Sequence, residues 1–345
     1  MKKLRVLALV HESLVPPEDV EGLTKKEYLH ADWKSEYDVT VTLREMGHEV
    51  RPLGLLTDLT PLREAIVDWK PDITFVLLEE FHGLVTYDHA VASYLELMRQ
   101  DYTGCNARGL LLSRDKGLAK SILSFHRIPS PTFTIVPRGK RIRRTRRLSF
   151  PLFVKSASED ASVGISQSSI VHDDESLAER VEYIHDKVET DAMVEQFIEG
   201  RELYVGVIGN ERVQTLPIWE MTFRNVPEGV PRIATSKIKW DPEHQKELGV
   251  TTHAAINLPP GAEAKIHRIC KRVYRALHMS GFARMDLRLA EGGSVFVLEA
   301  NANPNLAYGE DFAESAEAAG IDYEALLQRI LNLGLRYKAP WKLHR

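Results

Sequence analysis

From its start to about residue 104 the chain alternates short apolar runs with amphipathic helical patterns, and this rhythm limits the fold more than any other feature of the sequence. "LRVLALV" is followed by a helical pattern through "SEYDVTVTLREMG", then "HEVRPLG", a second helical pattern near "PLREAIVDW", and "DITFVLL". Buried runs separated by helices predict a parallel sheet covered on both faces. In such sheets ligands collect at the carboxyl ends of the strands. That rule points to "HESLVPP" after the first run and to "EEFHG" after a later one. Taken singly, His11 and His82 read as loop histidines with backbone partners.

The chain has 345 residues, which exceeds the size at which one core stops growing, so two or three domains are expected. Its 43% apolar and 27% charged content is that of an ordinary soluble globular protein. A formal net charge of −4 predicts no general attraction to nucleic acid or to an anionic membrane. The opening "MKKLRVLALVHES" is too short in its apolar run for a signal peptide, and no run reaches the roughly 20 residues that span a bilayer. Two distant cysteines, Cys105 and Cys270, suit a reducing compartment and read as inert core thiols. A cytoplasmic location is the resulting expectation.

A first unit over 1–104 is expected to give way to a second over 105–196. Within it "SRDKGLAKSILSFHRI" reads as a helix capped by Ser113 and ended by "PSPTF". A basic run, "PRGKRIRRTRRL", precedes the strand-like "FPLFVKS", and a charged helix leads to the strand "DAMVEQFI". The third unit, 197–345, opens with a hairpin turning at "GNER". It continues through an irregular section from about 221 to 260, a helix at "AEAKIHRICKRVYRALHM", two strands joined at "EGG", and a terminal helix around "DYEALLQRILNLG".

The strands "FARMDLRL" and "SVFVLEANANP" carry the strongest chemical signal. Side chains alternate across a strand, so Arg284 and Asp286 share one face, as do Glu299 and Asn301. Paired as a hairpin, the strands would gather two carboxylates, an amide and a guanidinium on one polar surface. Oxygen ligands of this kind suit Mg²⁺ completed by phosphates and water. In "MVEQFIEGRELYVGV" one strand delivers Glu195 and the next begins with Glu202, and carboxylates so placed can accept hydrogen bonds from ribose hydroxyls. Lys116, Lys155 and Lys237 are compact cations that could meet phosphate. No Walker motif and no G-x-G-x-x-G is present.

In this order "DKGLAK", "FPLFVKSASEDASVGIS", "VEQFIEGREL", "SK", "ARMDLRL" and "VLEANANPN" resemble the ATP-grasp carboxylate–amine ligases, and among them the D-alanine–D-alanine ligases, over residues 105–312. The resemblance implies an α/β and α+β chain with an N-terminal parallel α/β domain, a central lid domain and a C-terminal mixed-sheet domain. It implies that Lys116 and Lys155 contact ATP phosphates and that the loop around Ser162 and Gly164 closes over the γ-phosphate. Glu159 and Asp160 are themselves anionic, which leaves the phosphate contacts to Ser162 through Gly164. Glu195 would face the adenine amino group, the backbones of Gln196 and Ile198 its edge, and Glu202 the ribose. Lys237 would be a further phosphate contact, Arg284 would steady an oxyanion, and Asp286, Glu299 and Asn301 would bind Mg²⁺, with Mn²⁺ as a substitute. The implied reaction joins a small carboxylate and an amine, amino acids or their derivatives, and the implied assembly is a homodimer.

The sequence departs from that family in two places. Where a Glu-His-Glu segment helps to bind the first D-alanine, this chain has "HESLVPPED", with Glu12 as the available substitute. Where a serine turn receives the second substrate's carboxylate, it reads "NPNLAYGEDFAES", with Glu310 and Asp311. Like charges about 4 Å apart repel by roughly 4 kcal/mol at an effective dielectric of 20, so an acceptor that is cationic or uncharged near Glu310 is expected instead. The basic segment 138–147 reads as a solvated loop. The alternative it raises is a non-ligase nucleotide-binding protein that uses this segment for a polymeric partner such as nucleic acid.

Overall fold

The structure, a computed structural model, describes residues 2–159, 162–227 and 231–343. Strands β1 (Arg5–His11), β2 (Glu49–Leu55) and β3 (Ile73–Val76) form a parallel sheet in the order β2-β1-β3. The apolar run in β1 feeds two cores: Leu7 and Leu9 enter one, Leu4 and Val6 the other. The first of these faces is covered by Leu62, Val91 and Leu95. On the other, Val39 and Leu43 of helix Lys34–Glu45 pack with Leu326, Leu327 and Ile330 of helix Tyr323–Arg336. A helix near the end of the chain thus completes the core of the first sheet.

Strands β4 (Phe133–Val136), β5 (Leu152–Ser156), β6 (Ile170–Val171) and β7 (Ala192–Gln196) make an antiparallel sheet, ordered β4-β7-β5-β6. Leu152 and Val154 of β5 and Ala192 and Val194 of β7 pack against Leu177, Val181 and Ile184. The period of two then sends Phe153, Lys155 and Glu195 to the opposite face. The preceding helix, Lys116–Phe125, is capped by Asp115, whose carboxylate accepts from the Leu118 N–H at 2.8 Å. Ser113, expected as that cap, lies instead in the helix before it, Ala107–Arg114, where its hydroxyl donates to the Leu110 carbonyl.

Strands β8 (Arg201–Ile208), β9 (Gln214–Phe223), β10 (Val250–Ala254), β11 (Phe282–Leu289) and β12 (Val295–Ala302) form the third sheet, ordered β10-β9-β8-β11-β12. Every pairing in it is antiparallel, so the mixture of strand directions lies between sheets rather than within this one. Ile266, Ile269 and Val273 of helix Ala262–Ala276 back it against Val205, Met285 and Leu287. The expected hairpins at "GNER" and "AEGG" both form. The section expected to be irregular from 221 to 260 contains the end of β9, helices Ser236–Trp240 and Pro242–Leu248, and β10. Each helix there is opened by a side chain that caps it, Thr235 and Asp241, a signal too short to show as hydrophobic periodicity.

Cys105 and Cys270 are buried free thiols, and burial pushes the Cys105 thiol up to about 12. Among the described residues no helix is long and apolar enough to cross a membrane.

Candidate functional site

The third sheet supplies the floor of the main cleft. Asp286 on β11 lies opposite Glu299 on β12, and Arg284 lies opposite Asn301. A β-bulge makes this possible: Asp286 pairs with Glu299 but Leu287 pairs with Val297, leaving Leu298 as the extra residue. Before the bulge Val295 and Val297 enter the core; after it Ala300 does, and Glu299 and Asn301 turn to the polar face. There Arg284 donates two hydrogen bonds to Asp286, at 2.8 and 2.9 Å, and the Asn301 amide donates to Asp286 Oδ2 at 3.0 Å. Burial works against the Arg284 charge, but Asp286 outweighs it and raises the guanidinium further above its ordinary value.

The roof comes from β5, β7 and helix Lys116–Phe125. Lys155 Nζ is 3.0 Å from Glu195 Oε1, and Lys120 Nζ is 2.8 Å from Glu195 Oε2. Lys116 donates to the Glu159 carbonyl at 2.7 Å and stands 3.8 Å from Glu299 Oε2. Burial pulls Lys116 down to about 8 against the opposing pull of Glu299. At Lys155 burial is outweighed by Glu195 and Glu299, which hold the ammonium above its usual range. Burial also disfavours the charged form of Glu195, yet Lys120 and Lys155 keep its carboxyl below normal.

Between floor and roof lies a cleft lined by residues of both sheets. Its apolar lining includes Ile198, Ile233 and Leu298 together with Phe153 and Phe197, whose rings stack 6.3 Å apart at 27°. Its charged lining gathers Lys116, Lys155, Asp286 and Glu299, with Lys116 3.8 Å from Glu299 and Lys155 within the influence of Glu299 and Asp286. Glu202 lies on the wall, held by Arg288 at 2.7 Å and by the Tyr204 hydroxyl at 2.9 Å.

Of the residues singled out in the sequence, Lys116, Lys155, Ser162, Glu195, Gln196 and Ile198 line this cleft, together with Glu202, Asp286 and Glu299. Asn301 borders a smaller hollow beside it, shared with Arg114, Lys116 and Glu299. Arg284 lies next to Asp286 with its guanidinium 4.8 Å over the Tyr204 ring. Gly164 sits behind the wall in a left-handed conformation, φ +72°, and its carbonyl accepts from Arg180. Asp160 is outside the described residues. Three candidates are not brought to the cleft: Lys237 is exposed on helix Ser236–Trp240, Glu12 in the turn after β1, and Glu310 at the start of helix Asp311–Ala318. The protein around Glu310 and the adjacent Asp311 push its carboxyl up.

Lys120, Arg288 and Tyr204 escape a sequence reading, although two of them left a signal. Arg288 follows Arg284 and Asp286 at the same strand spacing of two, and Lys120 stands one helical turn after Lys116. The segment 138–147 is largely exposed, with Arg138 paired to Glu189 and Arg144 to Asp174, each at 2.8 Å.

Two antiparallel sheets closing on a cleft with lysines above and carboxylates below define an ATP-grasp ligase. The same fold is seen in the crystal structure of the D-alanine–D-alanine ligase of Bacillus anthracis complexed with ATP, at a TM-score of 0.71 and 22% identity, covering 96% of this chain and 98% of that one. The family model "D-ala D-ala ligase C-terminus" matches residues 121–332. The D-alanine–D-alanine ligase of Aquifex aeolicus is 31% identical over 296 residues, covering 85% of this chain and 92% of the relative. A protein of Sinorhizobium fredii described as "Uncharacterized protein y4sG" is 32% identical over 315 residues, 86% of each chain. The chain belongs to the D-alanine–D-alanine ligase family, whose members are ATP-dependent ligases that form an amide bond. That membership favours the ligase over the non-ligase alternative raised by the basic segment.

Proposed function

We propose that the protein is an ADP-forming ligase that activates a small carboxylate as an acyl phosphate and passes it to an amine other than D-alanine. The observation that carries this reading is the convergence of Lys116, Lys155, Asp286 and Glu299 in one cleft that is also lined by Phe153, Phe197, Ile198 and Leu298. ATP would lie with its base between Phe153, Ile198 and Leu298, its edge against the backbone of Gln196 and Ile198, and its ribose at Glu202. Lys116 and Lys155 would take the phosphates, and the turn at Ser162, where the Ile165 N–H donates to the Ser162 carbonyl, would close above them. Lys237, on the helix whose Ser236 N–H donates to the Ile165 carbonyl, would approach only if that loop carried it inward.

Among the described residues no three His, Cys, Asp or Glu side chains gather as a metal site. Two carboxylates and an amide still fit Mg²⁺ or Mn²⁺, because such ions complete their shells with phosphate oxygens and water. Asp286, Glu299 and Asn301 would hold the ion, and when bound it neutralises phosphate charge. The protein's own task is positioning. A substrate carboxylate oxygen attacks the γ-phosphorus, and the bond to the β,γ-bridging oxygen breaks to release ADP. The amine lone pair then attacks the acyl carbon, Arg284 faces the developing oxyanion, the C–O bond to phosphate breaks, and the ammonium proton leaves with solvent or phosphate.

The relatives' names point to amino acids or their derivatives as substrates. Glu310 and Asp311, close enough to Arg284 to act on its charge and on each other, favour an acceptor that is cationic or uncharged at that end. The three sheets support division into units 1–104, 105–196 and 197–345, and buried unpaired cysteines suit the cytoplasm. We extend to this chain the homodimer that the family resemblance suggests. The test is incubation with Mg²⁺ATP and a panel of amino acids and amines, following ADP and product mass together. ADP release that requires both an acid and an amine, with an amide of matching mass, is the expected result. Release independent of both would overturn the ligase reading, and D-alanyl-D-alanine formed as fast as the best alternative would overturn the substrate reading.

A further inference from the structure

Helix Lys116–Phe125 sends two lysines, one turn apart, into the interior. Lys116 reaches the cleft, whereas Lys120 is 2% exposed and forms no part of the cleft wall. Its ammonium meets Glu195, itself 3% exposed, and the other oxygen of that carboxylate meets Lys155. Three charges therefore lie in a buried row, Lys120, Glu195 and Lys155, of which Glu195 and Lys155 line the cleft and Lys120 does not.

We propose that Lys120 is a positioning residue that sets the phosphate affinity of Lys155 by sharing Glu195 with it. The inference rests on the reading of this cleft as the ATP site. With Glu195 alone, Lys155 would be a neutral ion pair in a medium of low dielectric, with little field left for a phosphate. Lys120 supplies a second cation to the same carboxylate, so the row carries a net charge of one unit directed at the cleft. A buried ammonium is costly, and apolar side chains such as neighbouring Leu123 fill a core at lower cost.

The test is direct binding of two probes, the non-hydrolysable ATP analogue AMP-PNP with Mg²⁺ and the phosphate-free nucleoside adenosine. Lys120→Met is expected to weaken AMP-PNP by about tenfold or more and to leave adenosine within about twofold. Adding Glu195→Gln to Lys120→Met removes the second charge and frees Lys155, so the ratio of AMP-PNP to adenosine affinity should recover to within about threefold of the parent's. A merely structural lysine would weaken both probes together and would not be rescued. Unchanged AMP-PNP binding in Lys120→Met, an equal loss of adenosine, or no recovery in the double variant each overturn the proposal. If Lys120→Met does not fold, the double variant alone decides, because a near-parental ratio of AMP-PNP to adenosine affinity is expected of it and a tenfold fall in that ratio sinks the idea. A parent protein that binds neither probe overturns the ATP-site reading itself, an outcome distinct from a parent that binds AMP-PNP and a Lys120→Met variant that binds it equally well.

Discussion

Lys116 shows how burial turns an ordinary lysine into a pH-sensitive one. With its ammonium drawn down to about 8, it is a cation below that pH and loses its charge above it. The apparent kcat/KM for ATP should therefore fall as pH rises through about 8. Lys116→Arg, whose guanidinium stays charged, should carry the decline to higher pH, and a pH–rate profile of both proteins checks this. Glu299→Gln keeps the size of the side chain and removes its charge, so ADP formation should drop by about 100-fold or more, close to 3 kcal/mol, with an unchanged melting temperature. Glu36, buried on helix Lys34–Glu45 with an unpartnered Oε2, has its carboxyl raised by burial and by Glu79 to about 7. The unfolded chain ionises this group from its ordinary 4.5 upward while the folded chain keeps the proton to about 7, so stability declines across that window. Glu36→Gln should be more stable than the parent by up to about 3 kcal/mol at pH 8 and nearly equal to it at pH 4, as urea unfolding at the two pH values would show. Such residues were unevenly legible. Lys155 and Glu195 end apolar runs and stand out in the sequence, whereas Lys120 looks like any solvated helix lysine because nothing local records that β7 will cover it.

At the scale of elements, the strand signals were read more easily than what joins them. Period-two alternation placed Arg284 and Asp286 together and predicted the β11–β12 hairpin. It did not show the bulge, because Val295, Val297 and Glu299 carry the same parity and only the extra Leu298 separates their faces. Deleting Leu298 should straighten the bulge into a regular ladder, with Val297 still opposite Leu287 on the core face and Glu299 still opposite Asp286 on the polar face. The deletion should therefore keep measurable ADP formation and a melting temperature within a few degrees of the parent, and Leu298→Ala, which keeps the bulge, should also fold like the parent. Calorimetry and an ADP assay on the two variants separate loss of the bulge from loss of a side chain. The helices at Ser236 and Pro242 were missed for a different reason: they are only five and seven residues long, too short for a periodic stripe, and are set by their caps.

For the whole molecule, the alternation in residues 1–104 predicted the parallel sheet but not its cover. Helix Tyr323–Arg336 supplies Leu326, Leu327, Ile330 and Leu331 to the core that holds Leu4, Val6, Ile73 and Phe75. Its apolar stripe was visible in the sequence; its destination was not, since a stripe says that a face is buried and not against what. Lys34, which donates to Asp38 and to the Tyr308 carbonyl, and Asp38, which accepts from the Tyr308 N–H, tie the same two parts of the chain together beside Glu310. This arrangement bears on synthesis as well as on the finished protein. During translation the first sheet emerges long before the helix that closes it, so a nascent chain must carry an open apolar face on β1 and β3 until that helix leaves the ribosome. In the cell that interval is when this protein is most exposed to chaperones, to proteases and to its own neighbours on the polysome.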